Sequence, residues 1–361
     1  MIGYILRKQT FTMKGIFEFN RYEFTQDLEF GTKSKLTQLS PETPEIEDDD
    51  IVLCKDGNAV IFCGICDTFE TSGKSGYNLQ LKQAECLFDR NIFISSPEMI
   101  SQTGFEDFIT KSIEDNWIDS GDPLMDASAM TVTALTHTQL AVIPESKDGI
   151  INLMDLIAQA KEYWGIRMIF DVENGALAVK IEKDPGGEIS LDTKMSDVQN
   201  LSERFSVNIL AKLHVRWKIP DTESNGVVTA VGPVTDVTYY LTTTGAVTTN
   251  IGDPQRVDGI IDAMYIETKE SEEVLQKVVD AFQKNKYDHN ISFDMHTGSR
   301  AYPAADFYVG RKIKVKTKKG ITESIISART IKNDSAYAKL TLGTQKVSLI
   351  AKIRNLQRRE S

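Results

Sequence analysis

The sequence predicts a mostly β protein of the α+β class, in which two β-barrel-like domains alternate with two mixed α/β domains. Three observations lead to this prediction. The first hundred residues alternate apolar and polar side chains with period two; two stretches between residues 98 and 202 repeat with helical period; and Thr- and Val-rich strands resume near residue 207. A chain of 361 residues can bury several cores, so its folding requires neither disulfides nor a metal.

The first β-barrel-like domain is predicted over residues 1–97. Asp56-Gly57 lies between two apolar runs, which is a strong hairpin signal. At least five short strands separated by turn residues favour a small barrel or sandwich. The predicted strands are Ile16–Phe24, Ile51–Cys54, Ala59–Cys63, Tyr77–Ala84 and Cys86–Ile94.

A mixed α+β domain is predicted over residues 98–202. One helix places an apolar stripe on a single face, and a second runs from Leu153 to Trp164 and ends at Gly165. Two strands then follow, joined by a two-residue Asn174-Gly175 turn. Both helical faces are interpreted as core rather than as a binding groove. The stripe of the first helix consists of Phe105, Phe108, Ile109, Ile113 and Trp117.

The second β-barrel-like domain is predicted to be discontinuous, over residues 203–218 and 291–350. Residues 219–290 form an inserted α+β domain, and 351–361 a C-terminal tail. The insert contains a helix over about residues 271–286, with Val274, Val278, Ala281 and Phe282 as its apolar stripe. No series of βαβ units with a phosphate loop is present, which disfavours a Rossmann or P-loop enzyme.

The charge of the chain is unevenly distributed. The net charge is −11, from 41 Lys+Arg and 52 Asp+Glu, but residues 311–361 hold 14 basic and 3 acidic side chains, a net of +11. The rest of the chain therefore carries a net of −22. Strand alternation places four lysines on one face of this basic segment and Ile313 and Val315 on the other. The lysines are Lys312, Lys314, Lys316 and Lys318.

Three interpretations of this lysine face remain open. It can be a solvated outer strand, a surface that meets an acidic face of a neighbouring subunit or partner protein, or a contact for DNA. Like charges on one face repel unless carboxylates lie nearby. The acidic body of the chain offers many candidates for such carboxylates.

No catalytic, cofactor-binding or metal-binding residue is predicted. Cys63-Gly64-Ile65-Cys66 has the spacing of a metal or redox pair, but no second pair accompanies it, so all four cysteines are predicted to be reduced and mostly buried. The acidic run Glu42–Asp50 is interpreted as a solvated loop rather than a weak cation site, and Gly73-Lys74-Ser75 as part of a polar loop. The histidines, in no recognisable motif, are His137, His214, His289 and His296.

The chain has no apolar run of about 18 residues and no secretory signal pattern at its N-terminus, so neither a transmembrane helix nor export is predicted.

The residues resemble a known family. The C-terminal run combines the strand Ile291–Met295, Pro303-Ala304-Ala305-Asp306, the segment Val309–Val315, the turn Lys319-Gly320, and the segments Ser324–Thr330 and Lys339–Gly343. With the N-terminal Phe19–Phe24 and Gly64–Asp67 segments and the helix after Gly149, this pattern resembles the tail-hub proteins of siphophages and prophages from Gram-positive hosts. The family is also labelled prophage tail endopeptidase or tail-associated lysin.

This resemblance implies a fold like the central baseplate hub of contractile-tailed phages. In such a hub, three copies present six similar barrels as a pseudo-six-fold ring, which docks on a hexameric ring of the tail. The expected partners are further copies of the chain, a hexameric distal tail or tail tube protein and the tape-measure protein, with transient passage of DNA. The expected location is the virion tail, assembled in the host cytoplasm.

The endopeptidase label is not carried over to this chain. Tail-associated lysins have their catalytic domain after the hub region, whereas this sequence ends at Ser361, so a structural hub and not an enzyme is expected. Two alternatives stay open: a cell-wall-degrading tail enzyme with an unrecognised site, and a receptor- or carbohydrate-binding module. The aromatic residues that could stack on sugars are Trp217, Tyr239, Tyr240 and Tyr287.

Overall fold

The computed structural model of the chain forms two compact units. One contains the described parts of Met1–Ser202 and Ile291–Ser361, and the other those of Glu203–Asn290. The structure describes residues 1–71, 76–93, 104–121, 126–139, 150–185, 189–205, 209–224, 227–242, 246–253, 259–269, 271–284, 287, 289–318 and 320–343. The predicted loop at Gly73–Ser75, residues 344–350 of the second predicted β-barrel-like domain and the tail at 351–361 lie outside these residues.

The first unit is built mainly on a 13-stranded sheet. Its N-terminal strands are β1 (Ile2–Leu6), β2 (Met13–Glu18), β3 (Tyr22–Asp27), β4 (Ser34–Leu39), β5 (Ile51–Asp56), β6 (Ala59–Thr71) and β7 (Tyr77–Gln83). Short strands β8 (Asn91–Phe93) and β10 (Ile150–Asn152) form a separate pair, and β9 (Thr131–Ala134), β11 (Ile166–Glu173) and β12 (Ala176–Lys183) a three-stranded sheet. The remaining strands of the large sheet are β13 (Ile189–Asp192), β14 (Val198–Phe205), β21 (His289–His296), β22 (Lys312–Thr317), β23 (Gly320–Lys332) and β24 (Tyr337–Gly343).

Two helices of the first unit carry the predicted apolar stripes. The helix α1 (Phe105–Ile113) continues into a π-helical turn, Glu114–Ile118, and α2 (Leu153–Gln159) into Ala160–Trp164. All five stripe residues of α1 and its turn are at most 3% exposed. Gly165 takes a left-handed φ of 70° after the second helix, as expected of a C-terminal cap. Short 3₁₀ helices lie at Ala84–Phe88 and Ala304–Asp306.

The second unit is a smaller sheet with one helix. Its four-stranded sheet has the order β19 (Val247–Thr248), β18 (Val234–Leu241), β15 (Leu210–Lys218), β20 (Ile260–Glu267), and a separate hairpin pairs β16 (Thr222–Ser224) with β17 (Val227–Ala230). The helix α3 (Ser271–Lys284) buries Val274, Val278 and Phe282 against the sheet. Because β15 pairs with β18 and β20, residues 210–218 lie in this sheet; the four-domain division itself stays a prediction.

The predicted α+β, mostly β fold class is confirmed, with three differences in detail. Strand β3 pairs with β23, so the N-terminal and C-terminal β regions share one sheet. Among the described strands the pairing runs as an open order from β14 to β2, and no closed barrel is found there. The strand predicted at Cys86–Ile94 is wrong for its first half, where the 3₁₀ helix buries Ala84, Glu85 and Phe88.

Candidate interaction surface

The lysine strand β22 lies between two neighbours. It pairs in parallel with β13 and antiparallel with β23. Ile313 and Val315 are buried, whereas Lys312 and Lys316 are exposed and Lys314 is half-buried. Period-two alternation therefore places these lysines on the face opposite the core, and Lys318 follows as an exposed residue just after the strand.

Carboxylates of the same chain compensate part of this charge. The Nζ atom of Lys316 lies 3.2 Å from Oδ2 of Asp192 on β13, and Glu323 on β23 stands directly opposite Lys314. The pKa of Asp192 is held below its ordinary value, first by the backbone N–H of Lys194 and then by Lys316. Opposite charges on adjacent strands are stabilising, so these two carboxylates offset the repulsion between Lys314 and Lys316.

The two ends of the lysine face differ. At one end, the Lys312 ammonium donates a hydrogen bond of 3.0 Å to the Tyr163 carbonyl, and Ile325, opposite Lys312, is fully buried. At the other end, Ile321 stands opposite Lys316 and is 72% exposed. Lys316, Lys318 and Ile321 thus form an open cationic surface with an apolar residue in it, here called the lysine–isoleucine patch.

Two clusters fix the segment that leads into β22. The first cluster is centred on Tyr308, because Arg167 and Arg311 both stack on its ring. Two nitrogens of Arg167 also donate hydrogen bonds to Glu182. Burial raises the pKa of Tyr308 well above its ordinary value, and the adjacent Asp184 carboxylate adds to the shift. The segment is therefore anchored to the β11–β12 hairpin before the lysines begin.

The second cluster is a buried ion pair. Nζ of Lys161 lies 2.5 Å from Oε1 of Glu85, with the two side chains 8% and 7% exposed, and 4.8 Å from the ring centroid of Phe30. Gly310 packs against this lysine with a φ of 95°, and a Cβ atom there would lie only 2.4 Å from Cγ of Lys161. A side chain at position 310 would be opposed both by the backbone conformation and by the buried lysine.

The acidic run Glu42–Asp50 is an ordered loop between β4 and β5. Asp50 is buried, and its Oδ2 accepts hydrogen bonds of 2.9 Å from the Lys14 ammonium and from the Glu47 backbone. The exposed carboxylates are Glu42, Glu45, Glu47, Asp48 and Asp49. Two of these lie within 4 Å of a lysine ammonium in the described part of the chain: Glu47 beside Lys14 and Asp49 beside Lys8.

The structure separates the residues of the CxxC spacing. Cys63 packs in the core that contains α1 and α2, whereas Cys66 packs in the core on the other face of the sheet. Cys54 is buried as well, and Cys86 is half-buried. Burial raises the pKa of Cys54 and Cys63 strongly and that of Cys66 to about 12. Within the described residues, no group of His, Cys, Asp and Glu side chains is arranged to hold a metal ion.

The histidines come from both units, whereas the sugar-stacking candidates all belong to the second unit. His137 is exposed and paired with Asp107 on α1, which raises the pKa of its imidazole. His289 is buried beside Tyr287. Tyr239 is buried, and the Trp217 indole donates to the Thr268 carbonyl. His214, His296 and Tyr240 lie on strands β15, β21 and β18.

Sequence reasoning identified the lysines but missed their surroundings. Asp192 lies next to Lys316 only because two strands more than a hundred residues apart pair, which no local pattern reveals. Glu323 faces Lys314 across a short hairpin. The position of the exposed Ile321 could have been predicted from local sequence. It follows the turn at Gly320, and in a short hairpin this places it directly opposite Lys316.

None of the helices in the described residues is both long and apolar enough to cross a bilayer.

Comparison with known proteins identifies the fold. No protein-family model matches the sequence, and no curated protein does. Among solved structures, the prophage tail protein gp18 from Listeria monocytogenes matches with a TM-score of 0.54 at 10% identity, over 99% of this chain and 98% of that one. The 43 kDa tail protein of prophage MuSo2 from Shewanella oneidensis matches at 0.49 and 14% identity, over 95% and 98%. A chain of the phage P2 baseplate in its activated conformation matches at 0.46 and 11% identity, over 94% and 98%.

The match to the Listeria protein extends along almost the whole of both chains. The resemblance to phage tail proteins noted from the residues is therefore confirmed at the level of the fold, and the chain has the fold of a prophage tail protein.

Proposed function

We propose that the protein is a structural component of a phage or prophage tail, and more specifically the hub at the tail tip or baseplate. The observation that carries this proposal is the shared fold with the Listeria prophage tail protein over 99% of the chain. A domain added to another scaffold would be expected to match over only part of one chain, whereas here both chains are covered almost completely.

As a hub, the protein forms a trimeric ring with pseudo-six-fold symmetry that connects the tail tube to the tip. Its partners are two further copies, a hexameric distal tail or tail tube protein and the tape-measure protein, and it takes part in closing and opening the DNA channel. The role is structural rather than enzymatic. The mixture of anchored and open lysines on β22 fits a surface that contacts another subunit of the assembly.

The proposal is tested in the phage that encodes the chain. Gold-labelled antibodies against the protein should mark one end of the tail in electron micrographs of intact particles. Disruption of the gene should give particles or free heads without functional tails, and the gene supplied in trans should restore them. Labelling of capsids alone, or normal tails and plating efficiency without the gene, would overturn the proposal.

A second experiment separates the structural role from a cell-wall enzyme. The purified chain is incubated with peptidoglycan, with and without divalent metal ions, and released muropeptides are measured against a lysozyme standard. The structural role predicts no release above buffer. Release that depends on the concentration of the protein would show an enzyme, whatever its location in the particle.

A further inference from the structure

We infer that the lysine–isoleucine patch of one copy binds the acidic loop Glu42–Asp50 of a neighbouring copy. This inference rests on the proposed hub function, because it names the contact between subunits of the ring. A ring of identical subunits that is not built on two-fold axes needs two different, complementary surfaces on each subunit. The described residues of the first unit carry one such pair of opposite charge.

The patch has the composition of a protein contact rather than a phosphate contact. The exposed Ile321 lies among Lys316 and Lys318, and an apolar centre with a charged rim is typical of subunit interfaces. Part of the charge is already satisfied by Asp192 and Glu323. DNA would gain nothing from Ile321 and would be repelled by these carboxylates, so we favour a protein surface as the occupant.

The acidic loop has the matching properties. Exposed carboxylates at Glu42 and Glu45 flank the half-buried ring of Pro44, next to exposed Pro41. Within the described residues, neither glutamate has an ion-pair partner in its own chain. The loop thus offers negative charge and a small apolar surface together.

The loop is also held in one conformation before any partner arrives. Thr43 N–H donates to the Ser40 carbonyl at 3.0 Å, Asp49 N–H to the Cys66 carbonyl at 2.9 Å, and Cys66 N–H to the Asp50 carbonyl at 2.8 Å. A preorganised loop loses less conformational entropy on binding than a flexible one. Since β22 is fixed between β13 and β23, both sides of the proposed contact are rigid.

Different parts of the first unit carry the two surfaces. The loop joins β4 to β5 and is tied by ion pairs to Lys8, which follows β1, and to Lys14 on β2, whereas β22 pairs with β23 and β13. The ion pairs of the described residues connect neither surface to the other, so both are available to neighbouring copies.

The test is charge reversal in the full-length chain, followed by sedimentation equilibrium at low and high salt. Native protein should associate toward three times its 40.4 kDa mass, more strongly in 50 mM than in 500 mM NaCl, because salt screens exposed charges. Lys316→Glu/Lys318→Glu should weaken association by about tenfold or more, and so should Glu42→Lys/Glu45→Lys. The variant with all four changes should regain most of the lost affinity.

The matched control is Lys35→Glu/Lys339→Glu, which makes the same change in net charge at exposed strand positions away from the patch. It should associate like the native chain. Thermal unfolding of every variant shows that the fold is retained, as expected for exposed positions.

The possible failures are distinguishable. If both double variants form trimers as strongly as the native chain, the proposed contact is wrong and the hub proposal stands. The same holds if the variant with all four changes associates more weakly than either double variant. A native chain that stays monomeric up to about 0.5 mM at low salt would also overturn it as a self-association contact. Loss of tail labelling in the particle would instead remove the hub itself.

Discussion

The guanidinium carbon of Arg167 lies 4.3 Å from the ring centroid of Tyr308, and that of Arg311 lies 5.3 Å from the same centroid. One ring therefore joins the β11–β12 hairpin to the segment that leads into the lysine strand. Cation–π contacts of this kind contribute about 0.5–2 kcal/mol each. The position of the lysine strand thus depends on a contact some distance from the lysines.

Replacing Tyr308 should reveal this contact. Tyr308→Leu removes the ring from both arginines and should lower the free energy of unfolding by about 2 kcal/mol in urea titrations. Tyr308→Phe keeps the ring and loses only the hydroxyl beside Asp184, so it should cost about 1 kcal/mol or less. Equal losses for the two variants would show that the hydroxyl, not the ring, holds the segment.

The buried pair of Lys161 and Glu85 predicts an asymmetric response. Glu85→Ala leaves an ammonium buried without its carboxylate and should destabilise the protein by about 3 kcal/mol. The double variant Glu85→Leu/Lys161→Met replaces both charges by apolar groups of similar length and should be much closer to the native stability. Urea titration measures both. A double variant that is less stable than Glu85→Ala would contradict this expectation. It would show that the ion pair itself adds to the free energy of unfolding.

Glu106 should make stability depend on acid pH. Burial alone would raise the pKa of this carboxyl, but hydrogen bonds from Thr138 and Thr136 outweigh burial and hold the pKa below its ordinary value of 4.5. A group with a lowered pKa stabilises the fold above its unfolded pKa, and the contribution is lost as the pH falls through the folded pKa.

Glu106→Gln should therefore be less stable than native protein at pH 7, and the difference should shrink progressively below about pH 4.5. Urea titrations from pH 7 to pH 3 measure it. Glu18→Gln, at an exposed position outside both proposed contact surfaces, is the matched control and should follow the native curve. A difference between Glu106→Gln and native protein that stays constant over this range would contradict the assignment.

The thiols should differ in reactivity. Burial disfavours the thiolate at Cys54, Cys63 and Cys66, whereas Cys86 is half-buried with its Sγ 3.7 Å from the Phe30 carbonyl oxygen. Because the thiolate is the reactive form, a disulfide reagent at pH 8 should modify Cys86 first and the other three only as the protein unfolds. Cys86→Ser should remove the early phase. Rapid reaction of more than one thiol in that variant would show that the sheet opens locally.

Local patterns were sufficient for the parts of the fold whose signals lie within one segment. The helical stripe ending in Trp117, the Gly165 cap and the Asn174-Gly175 turn are where the sequence places them, with Asn174 and Gly175 at φ of 50° and 76°. The apolar run Ile51–Cys54 is buried on both faces, since alternate residues pack in two different cores.

The pairing of distant strands could not be obtained this way. No local pattern around β3 indicates that Thr25 pairs with Thr330 on β23. Two separate β domains were therefore predicted, whereas strands from both belong to one sheet. The 3₁₀ helix at Ala84–Phe88 was missed because its Glu85 is buried by an ion pair with a lysine 76 residues away. For the same reason, the lysine face was predicted from alternation while Asp192, which pairs with it from a distant strand, was not.

The chain leaves the first unit after Ser202 on β14 and returns at Ile291 on β21, and these two strands are neighbours in the sheet. Adjacent strands lie about 4.8 Å apart, so the points of departure and return can be bridged by a very short turn. The region between them can therefore be lengthened, shortened or exchanged during evolution without altering the register of the large sheet.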